Sequence, residues 1–259
     1  MKLLLALACL CCAAYSLGAQ PLKLCYEDQD VYPWSLKDGT GLNHDIIKQL
    51  AAKNQLSVQL TALPWKRCLY EVAQGRYDGF FSASHTPERA QWAAYPLLDG
   101  SELPDPKYRL NKDRYVLFHH KGDGLQWDGQ QLLGLRGRTA IGVQRGYSIA
   151  AELKAQGLPF DDSSASAADL FRKLDAGLLA AMMTLEHEGH KTLASLPESQ
   201  QAKIEQFPLP YRTRYLYLVF AKTFAASNPQ LVRQLWDDVY LLRESPAYVQ
   251  KAKQLGAQP

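Results

Sequence analysis

A polar stretch at the end of one predicted strand holds the residues best suited to bind an anion. Ser82, Ser84 and Thr86 alternate along this stretch, and Arg89 follows three residues later. Polar side chains at a strand end can line a pocket mouth, because the backbone turns outward there. A planar guanidinium donates two parallel charge-assisted hydrogen bonds to a carboxylate. The pattern predicts a carboxylate site anchored by Arg89; the alternative is a polar surface loop with a solvated arginine.

Alternating strands and helices must position this stretch. Apolar residues alternate over 22–26 and 56–62, and they recur at helical spacing over 42–51; a second helix is predicted over 66–73 and a further strand over 77–82. This order predicts a parallel sheet covered by helices. Ligands of such sheets bind beyond the carboxyl ends of the strands, which is where the polar stretch lies.

The same order of elements recurs later in the chain. Predicted strands cover 115–119 and 139–143, and the polar stretch 121–134 lies between them. A helix covers 149–155, and Ser166 opens another helix with an acidic residue at the capping-box position. The second half of the chain therefore predicts another α/β unit.

The two halves share a detail of spacing. In each, a helix stops at a glycine and the following strand delivers a hydroxyl seven residues later: Gly75 precedes Ser82, and Gly177 precedes Thr184. The chain is therefore predicted to form two similar lobes with a cleft between them, and Thr184 is a candidate ligand-binding residue.

The last strand and helices determine how the lobes connect. An apolar strand covers 215–221, and amphipathic helices follow over about 231–242 and 247–255. If the chain leaves the first lobe near residue 110 and returns near residue 221, the C-terminal helices pack on that lobe. The predicted division is 1–19 signal peptide, 20–110 plus 222–259 first lobe, and 111–221 second lobe.

The N-terminus has the pattern of a secretory signal peptide. Lys2 is followed by an apolar run and by small residues up to Ala19. Ala8-Cys9 inside this run suggests a lipoprotein signal as a minor alternative. We therefore expect a periplasmic protein. The formal net charge of +3 gives no reason to expect nucleic acid or an anionic membrane as a partner.

Two of the five cysteines, Cys25 and Cys68, lie outside the predicted signal peptide. In an oxidising compartment such an isolated pair is a candidate disulfide. The alternative is two separately buried thiols.

Several short motifs occur in an order that resembles a known family. They are Tyr32-Pro33-Trp34, Gly41-Leu42-Asn43-His44-Asp45, Leu63-Pro64-Trp65, Gly75-x-x-Asp78 and Ser84-x-Thr86-Pro87-Glu88-Arg89. From about residue 22 to 255 the chain resembles family 3 of the bacterial extracellular solute-binding proteins, the periplasmic receptors of polar amino-acid ABC transporters. The resemblance implies an α/β periplasmic binding protein fold, with two mixed or parallel sheets joined by a two-strand hinge.

The resemblance also implies a function and a set of partners. Two lobes close on a small solute, an amino acid or a related carboxylate, and present it to an inner-membrane ABC permease. The protein is expected to be a monomer that needs no cofactor. The ligand-binding residues so implied or inferred are Arg89, Ser84, Ser82, Tyr32, Trp65, Tyr147, Ser148, Thr184 and Arg67.

Some of these residues have alternative roles. Tyr32 and Trp65 match family positions whose rings pack against the ligand, and the alternative is ordinary core packing. Arg67 is either a second cation of the cleft or an exposed charge at a helix start. From the second lobe, the backbone N–H groups of residues 146–148 are expected to face the anion.

One departure from the family pattern concerns the ligand's ammonium group. Members that bind amino acids usually carry an Asp a few residues into the second-lobe strand, and here that position is Leu185, with Glu186 adjacent. Side chains alternate along a strand, so Glu186 points to the other side unless a bulge re-aims it. The sequence therefore supports a carboxylate-bearing ligand better than an α-amino acid.

Three other functions are alternatives. His187 and His190 suggest a metal site, but Gly189 weakens a helix there, and a solvated loop is the prediction. The same fold serves cyclohexadienyl dehydratases, for which Glu186 or Glu27 is the candidate acid. A receptor that presents its ligand to a membrane sensor is the third. A binding protein without enzymatic activity is the preferred prediction.

Overall fold

The computed structural model describes residues 20–135, 137 and 140–258. The predicted signal peptide, residues 1–19, lies outside the described residues, as does Thr139, the first residue of one predicted strand. The signal peptide and its lipoprotein alternative therefore stay predictions.

Strands and helices alternate through most of the described chain, in agreement with the apolar periodicity. The strands are β1 (Leu22–Glu27), β2 (Val58–Leu63), β3 (Gly79–Ser84), β4 (Ala93–Ala94), β5 (Asn111–His120), β6 (Gln126–Trp127), β7 (Leu132–Leu133), β8 (Ala140–Gln144), β9 (Phe160–Ser164), β10 (Leu179–Leu185), β11 (Ile204–Gln206) and β12 (Arg212–Ala221). The helices are α1 (Leu42–Lys53), α2 (Trp65–Ala73), α3 (Ile149–Ala155), α4 (Ala167–Asp175), α5 (Glu186–Ala194), α6 (Glu198–Gln201), α7 (Lys222–Ser227), α8 (Pro229–Arg243) and α9 (Pro246–Gln254).

Most of the strands join one mixed sheet. Its order is β2-β1-β3-β12-β5-β10-β8-β9, with β4 added beside β12 and β11 beside β5, while β6 and β7 pair separately. The pairs β1–β2, β1–β3, β8–β9 and β8–β10 are parallel. Parallel strands need crossover connections, and helices supply most of them, which gives the predicted α/β arrangement.

The strands β5 and β12 form the hinge. Each is 10 residues long, and they pair antiparallel with Arg212 opposite Tyr115 and Leu216 opposite Asn111. β12 also pairs with β3, and β5 also pairs with β10, so each hinge strand connects to one half of the sheet. We refer to the half with β1–β3 as the first lobe and the half with β8–β10 as the second lobe. The hinge pairing makes the two predicted sheets continuous, and the predicted residue boundaries of the lobes stay a prediction.

The C-terminal helix α8 packs on the first lobe. Its apolar stripe, which includes Leu235 and Val239, is buried, and α8 contacts α1. At the edge of this contact Lys53 Nζ lies 2.5 Å from Asp238 Oδ1. The helical periodicity that predicted α8 thus also identifies the face that it buries.

The predicted disulfide is formed between Cys25 and Cys68, which are 43 residues apart. It joins β1 to α2, and both cysteines are fully buried. The bond therefore fixes the first turn of α2, which starts at Trp65, beside the end of β1, which is Glu27.

The prediction of a solvated loop over 186–190 is wrong, because this segment begins α5. Gly189 lies inside the helix, where a Cβ atom would come within 2.5 Å of the Phe118 ring and 2.9 Å of the Thr184 methyl group. Close packing against β5 and β10, and not a loop, explains the glycine here.

Two short elements lie where sequence patterns are weak. The polar stretch 121–134 contains the β6–β7 hairpin, and Trp127 there stacks on Tyr211 at 4.8 Å between ring centroids. The edge strand β9, Phe-Asp-Asp-Ser-Ser, has one apolar residue and was not predicted. In addition, β3 starts and ends two residues later than predicted, so Ser84 is the last residue of the strand.

Candidate functional site

Arg89 lies just beyond β3, at the start of a short 3-10 helix over Arg89–Gln91. Its backbone N–H donates to the Thr86 hydroxyl at 3.1 Å, which holds the turn. The side chain is only 6% exposed. The arginine predicted at a strand end is therefore not a solvated surface residue.

The Arg89 guanidinium contacts both lobes. Nη1 donates to the Ser84 carbonyl at 2.8 Å, and Nη2 donates to the Gly146 carbonyl of the second lobe at 2.8 Å. The group also lies 5.6 Å from the centroid of the Trp65 ring, within the range of a cation–π contact. Among the described residues, no carboxylate forms an ion pair with Arg89 within 4.0 Å. A buried cation without an anionic partner is unfavourable, so this arrangement favours an anionic ligand.

Arg89 lines a cavity between the lobes, with about 440 Å³ of unfilled space along it and at its mouth. The lining comes from both lobes and from the hinge, as expected for a ligand cleft at the carboxyl ends of strands. The lining residues are Glu27, Val31, Ser35, Trp65, Phe81, Ser82, Ser84, Arg89, Tyr115, Tyr147, Ser148, Leu185 and Leu216.

The predicted serines lie in this cavity. Ser84 donates its hydroxyl to the Ser148 hydroxyl of the second lobe at 2.7 Å. Ser82 has a backbone φ of +63°, in the left-handed region that few residues other than glycine adopt. Its hydroxyl accepts from Asn43 Nδ2 at 3.1 Å. A strained residue held by its surroundings at the wall of a cavity is a mark of a functional site.

The segment 146–148 of the second lobe, which we term the 146–148 turn, closes the cavity. Gly146 presents its carbonyl to Arg89, and the Tyr147 N–H donates to the Gln144 carbonyl at 3.1 Å, so the Tyr147 N–H does not face an anion as expected. For the N–H groups of Gly146 and Ser148 the expectation stays a prediction. The side chains of Tyr147 and Ser148 face the first lobe. The turn therefore brings two hydroxyl groups and one carbonyl to the site.

Glu27 is a buried carboxyl in the same cavity. It is the last residue of β1 and is 9% exposed. Its Oε2 accepts a hydrogen bond from the Tyr147 hydroxyl at 2.9 Å. Burial, and secondarily the charge of Glu188, raises the pKa of Glu27 well above its usual range, while the Tyr147 hydrogen bond and Arg89 oppose this rise.

The end of β10 divides its side chains between two environments. Leu185 lines the cavity, whereas Thr184 points away from it and is fully buried behind the wall. Glu186 is also outside the cavity, because it accepts from Arg114 Nε at 2.6 Å. Strand alternation, without a bulge to re-aim Glu186, thus leaves no carboxylate at this end of β10 to face the ligand.

Behind this wall lies a polar cluster that the sequence did not reveal. Thr184 Oγ1 lies 2.8 Å from Gln144 Oε1 and 3.1 Å from Glu188 Oε2, and Gln144 Nε2 donates to Glu188 Oε1 at 2.6 Å. Burial raises the pKa of Glu188 to about 7. When Glu188 is protonated, its O–H donates to Thr184, Thr184 donates to Gln144, and Gln144 donates back to Glu188. The neutral acid therefore closes a ring in which each of these donors has an acceptor.

Two further predicted site residues lie outside the cavity lining. The Tyr32 ring lies 5.4 Å from the Lys191 ammonium group of α5. Arg67 forms an ion pair with Glu71 one helical turn later, and its side chain is 61% exposed. Arg67 is therefore an exposed charge at the start of α2, and Trp65 is the residue of this turn that lines the cavity.

The histidines of α5 have separate partners. His187 Nδ1 lies 3.3 Å from Asp113 Oδ1, which helps to raise the pKa of His187 above its ordinary value. His190 Nε2 lies 2.6 Å from Gln206 Oε1. In the part of the chain that the structure describes, no group of three or more His, Cys, Asp or Glu side chains is arranged to hold a metal ion.

Sequence reasoning missed part of the lining. Glu27 was considered only as an acid for an enzyme, although it ends a parallel strand as Ser84 does, and the same strand-end rule identifies it. Tyr115 comes from a hinge strand, and Val31 and Ser35 come from a loop. Only their position in the folded chain brings these residues to the cavity.

Solved structures with the same fold span nearly the whole chain. A histidine kinase sensor domain with similarity to periplasmic binding proteins has a TM-score of 0.70 at 17% identity, covering 93% of this chain and 98% of that chain. The substrate-binding protein of an amino acid ABC transporter has a TM-score of 0.66 at 15% identity, covering 91% and 99%. An ancestral amino-acid-binding protein, a precursor of cyclohexadienyl dehydratase, has a TM-score of 0.65 at 15% identity, covering 91% and 94%. The chain therefore has the two-lobed fold of periplasmic binding proteins.

Sequence comparison adds nothing to this result, since no family model and no curated protein matches the chain. Within the described residues, none of the helices combines the length and the apolar character needed to cross a membrane.

Proposed function

We propose that this protein is a periplasmic receptor that captures a small carboxylate-bearing solute between its lobes and presents it to an inner-membrane ABC permease. The observation that carries the proposal is Arg89, a buried cation in the interlobe cavity whose hydrogen bonds go to two carbonyls and the Ser84 hydroxyl and, within the described residues, to no carboxylate. A ligand carboxylate supplies the missing counter-charge.

The surroundings of Arg89 suit a carboxylate. The face of Trp65 covers the guanidinium and leaves its edge for hydrogen bonding. Ser84 and Ser148 now bond to each other, and each hydroxyl can turn to a ligand oxygen when the lobes separate. Tyr147 and Ser82 complete the proposed ligand-binding set, which needs no cofactor and acts in a monomer.

The histidine kinase sensor domain among the similar structures supports a second candidate partner. In that case the same closure on a ligand is read by a membrane sensor and not by a permease. A strain that lacks this protein distinguishes the two, because loss of labelled-ligand uptake indicates a permease, and loss of a transcriptional response with normal uptake indicates a sensor.

The test of ligand capture is calorimetric and thermal-shift titration of the purified protein with amino acids and small carboxylates. A ligand at 100 times its dissociation constant stabilises the folded state by about 2.7 kcal/mol. Arg89→Ala removes two charge-assisted hydrogen bonds of about 1.5 kcal/mol or more each, so we expect at least a roughly 100-fold loss of affinity. The matched control is Arg233→Ala, at an exposed position of α8.

Two results refute parts of this proposal. If Arg89→Ala binds the ligand as the wild type does, Arg89 is not the anchor. If NMR shows that the bound compound is converted to a product, the protein is an enzyme, and Glu27 is then the acid to test first, because it lines the cavity and Glu186 does not.

A further inference from the structure

We propose that Glu27 is the residue that selects for a positively charged nitrogen on the ligand, so that the cleft takes carboxylates bearing an amine and discriminates against the same carboxylates without it. This inference rests on the proposed function, in which Arg89 binds the carboxylate. It assigns the second charged group of the site to the first lobe.

Glu27 and Arg89 place an acidic and a basic side chain in the same cavity. It lines the same cavity as Arg89, and both side chains are more than nine-tenths buried. The two groups do not form an ion pair within 4.0 Å, and Arg89 donates to carbonyls instead. The cavity thus holds a buried acid and a buried base that are kept apart, which matches a ligand with a negative and a positive group.

The hydrogen bonding of Glu27 leaves room for a ligand. Its Oε2 accepts from Tyr147, and within the described part of the chain its Oε1 has no hydrogen-bond partner. Burial, and secondarily the charge of Glu188, raises its pKa in spite of Arg89. An ammonium group beside Glu27 favours the ionised carboxylate and gains a charge-assisted hydrogen bond, whereas an uncharged ligand leaves the acid without this partner.

The two acids that follow β10 are engaged elsewhere. Leu185 occupies the second-lobe position at which the family resemblance implies a carboxylate. Glu186 pairs with Arg114, and Glu188 is hydrogen-bonded to Gln144 and Thr184 behind the wall. Among the carboxyl groups of β1, β10 and α5, Glu27 is therefore the one that lines the cavity.

The experiment compares matched ligand pairs on the full mature chain. The probes are the common amino acids and 4-aminobutyrate, each beside the carboxylate that lacks its amino group, titrated by calorimetry at pH 7.5. We expect the wild type to bind the amino member of its best pair at least 10-fold more tightly. Glu27→Gln keeps an oxygen to accept from Tyr147, and we expect it to lose about 10- to 100-fold in affinity for the amino member while the deaminated member changes less than about threefold.

Two controls keep the result specific. Glu198→Gln changes an exposed carboxylate at the start of α6, and we expect wild-type affinities for both members. Arg89→Ala is expected to weaken both members together, because it removes the contact that they share. Circular dichroism and the urea midpoint establish that each variant is folded.

The outcomes separate the two proposals. If both members bind the wild type equally, or if Glu27→Gln weakens both by the same factor, the role of Glu27 is refuted and the carboxylate receptor stands. If no amino acid and no deaminated carboxylate binds the folded wild type, the receptor proposal fails, and the role of Glu27 fails with it.

Discussion

The stability of the protein should depend on pH through Glu188. This carboxyl lies in the hydrogen-bonded ring with Thr184 and Gln144, and burial raises its pKa from 4.5 to about 7. Each tenfold change in an acid dissociation constant corresponds to 1.36 kcal/mol, so the folded state favours the neutral acid by roughly 3 kcal/mol relative to the unfolded chain.

The sign follows from proton binding. Between pH 4.5 and 7 the folded protein retains the Glu188 proton, which the unfolded chain releases. The contribution of Glu188 to stability is therefore fully present below pH 4.5 and is lost as the pH rises to 7. His44 acts in the opposite sense, because burial lowers its pKa to about 4, so the wild-type pH profile alone does not isolate Glu188.

The perturbation that isolates it is Glu188→Gln. A glutamine can occupy the same ring, with its oxygen accepting from Gln144 and its amide nitrogen donating to Thr184. We expect urea unfolding, followed by circular dichroism from pH 4 to 8, to give nearly equal free energies of unfolding at pH 4. At pH 8 we expect the variant to be more stable than the wild type by about 3 kcal/mol.

An exposed control variant tests whether the pH dependence is specific to Glu188. Glu198→Gln, at an exposed site, should stay within about 0.5 kcal/mol of the wild type at every pH. If the difference between Glu188→Gln and the wild type does not change between pH 4 and 8, the pKa of Glu188 is the same in the folded and the unfolded protein, and the proton-closed ring is wrong.

Two other predictions concern the scaffold. The double substitution Cys25→Ser, Cys68→Ser opens a loop closed across 43 residues, and the chain-entropy relation gives a loss of about 4 kcal/mol in the free energy of unfolding. Urea unfolding under oxidising conditions measures this loss, and a value below about 1 kcal/mol contradicts the prediction. Gln55 follows the end of α1 with a φ of +53° and is exposed, so Gln55→Gly should stabilise the protein by about 0.5–1 kcal/mol. A lower thermal midpoint for this variant would show that its backbone strain is not significant.

The sequence predicted much of the scaffold because its signals are local. Helix α3 has the predicted bounds, 149–155, and α4 begins as the capping box at Ser166 predicts, with the Ser166 hydroxyl accepting from the Asp169 N–H at 3.2 Å. The pairing of Cys25 with Cys68 followed from the predicted compartment. These features can be predicted from neighbouring residues alone or, for the disulfide, from the number of cysteines outside the signal peptide.

The rest depends on tertiary placement. Thr184 and Leu185 are adjacent, and which of them faces the cleft is set by the pairing of β10 with β5, where Leu185 lies opposite Tyr115. The polar strand β9 forms because β8 offers a free edge, and its own sequence gives little β signal. Helix α5 could not be predicted from its sequence, because the reason for Gly189 is its packing against Phe118 of β5.

The 146–148 turn has a consequence for affinity. Its three contacts, from Tyr147 to Glu27, between Ser148 and Ser84, and from Gly146 to Arg89, occupy the groups proposed to hold the ligand. A ligand therefore competes with the protein's own atoms, and its apparent dissociation constant is the intrinsic one divided by the fraction of molecules whose cleft is open. In the proposed receptor, the strength of these three contacts would therefore help to set the solute concentration at which half of the molecules are occupied.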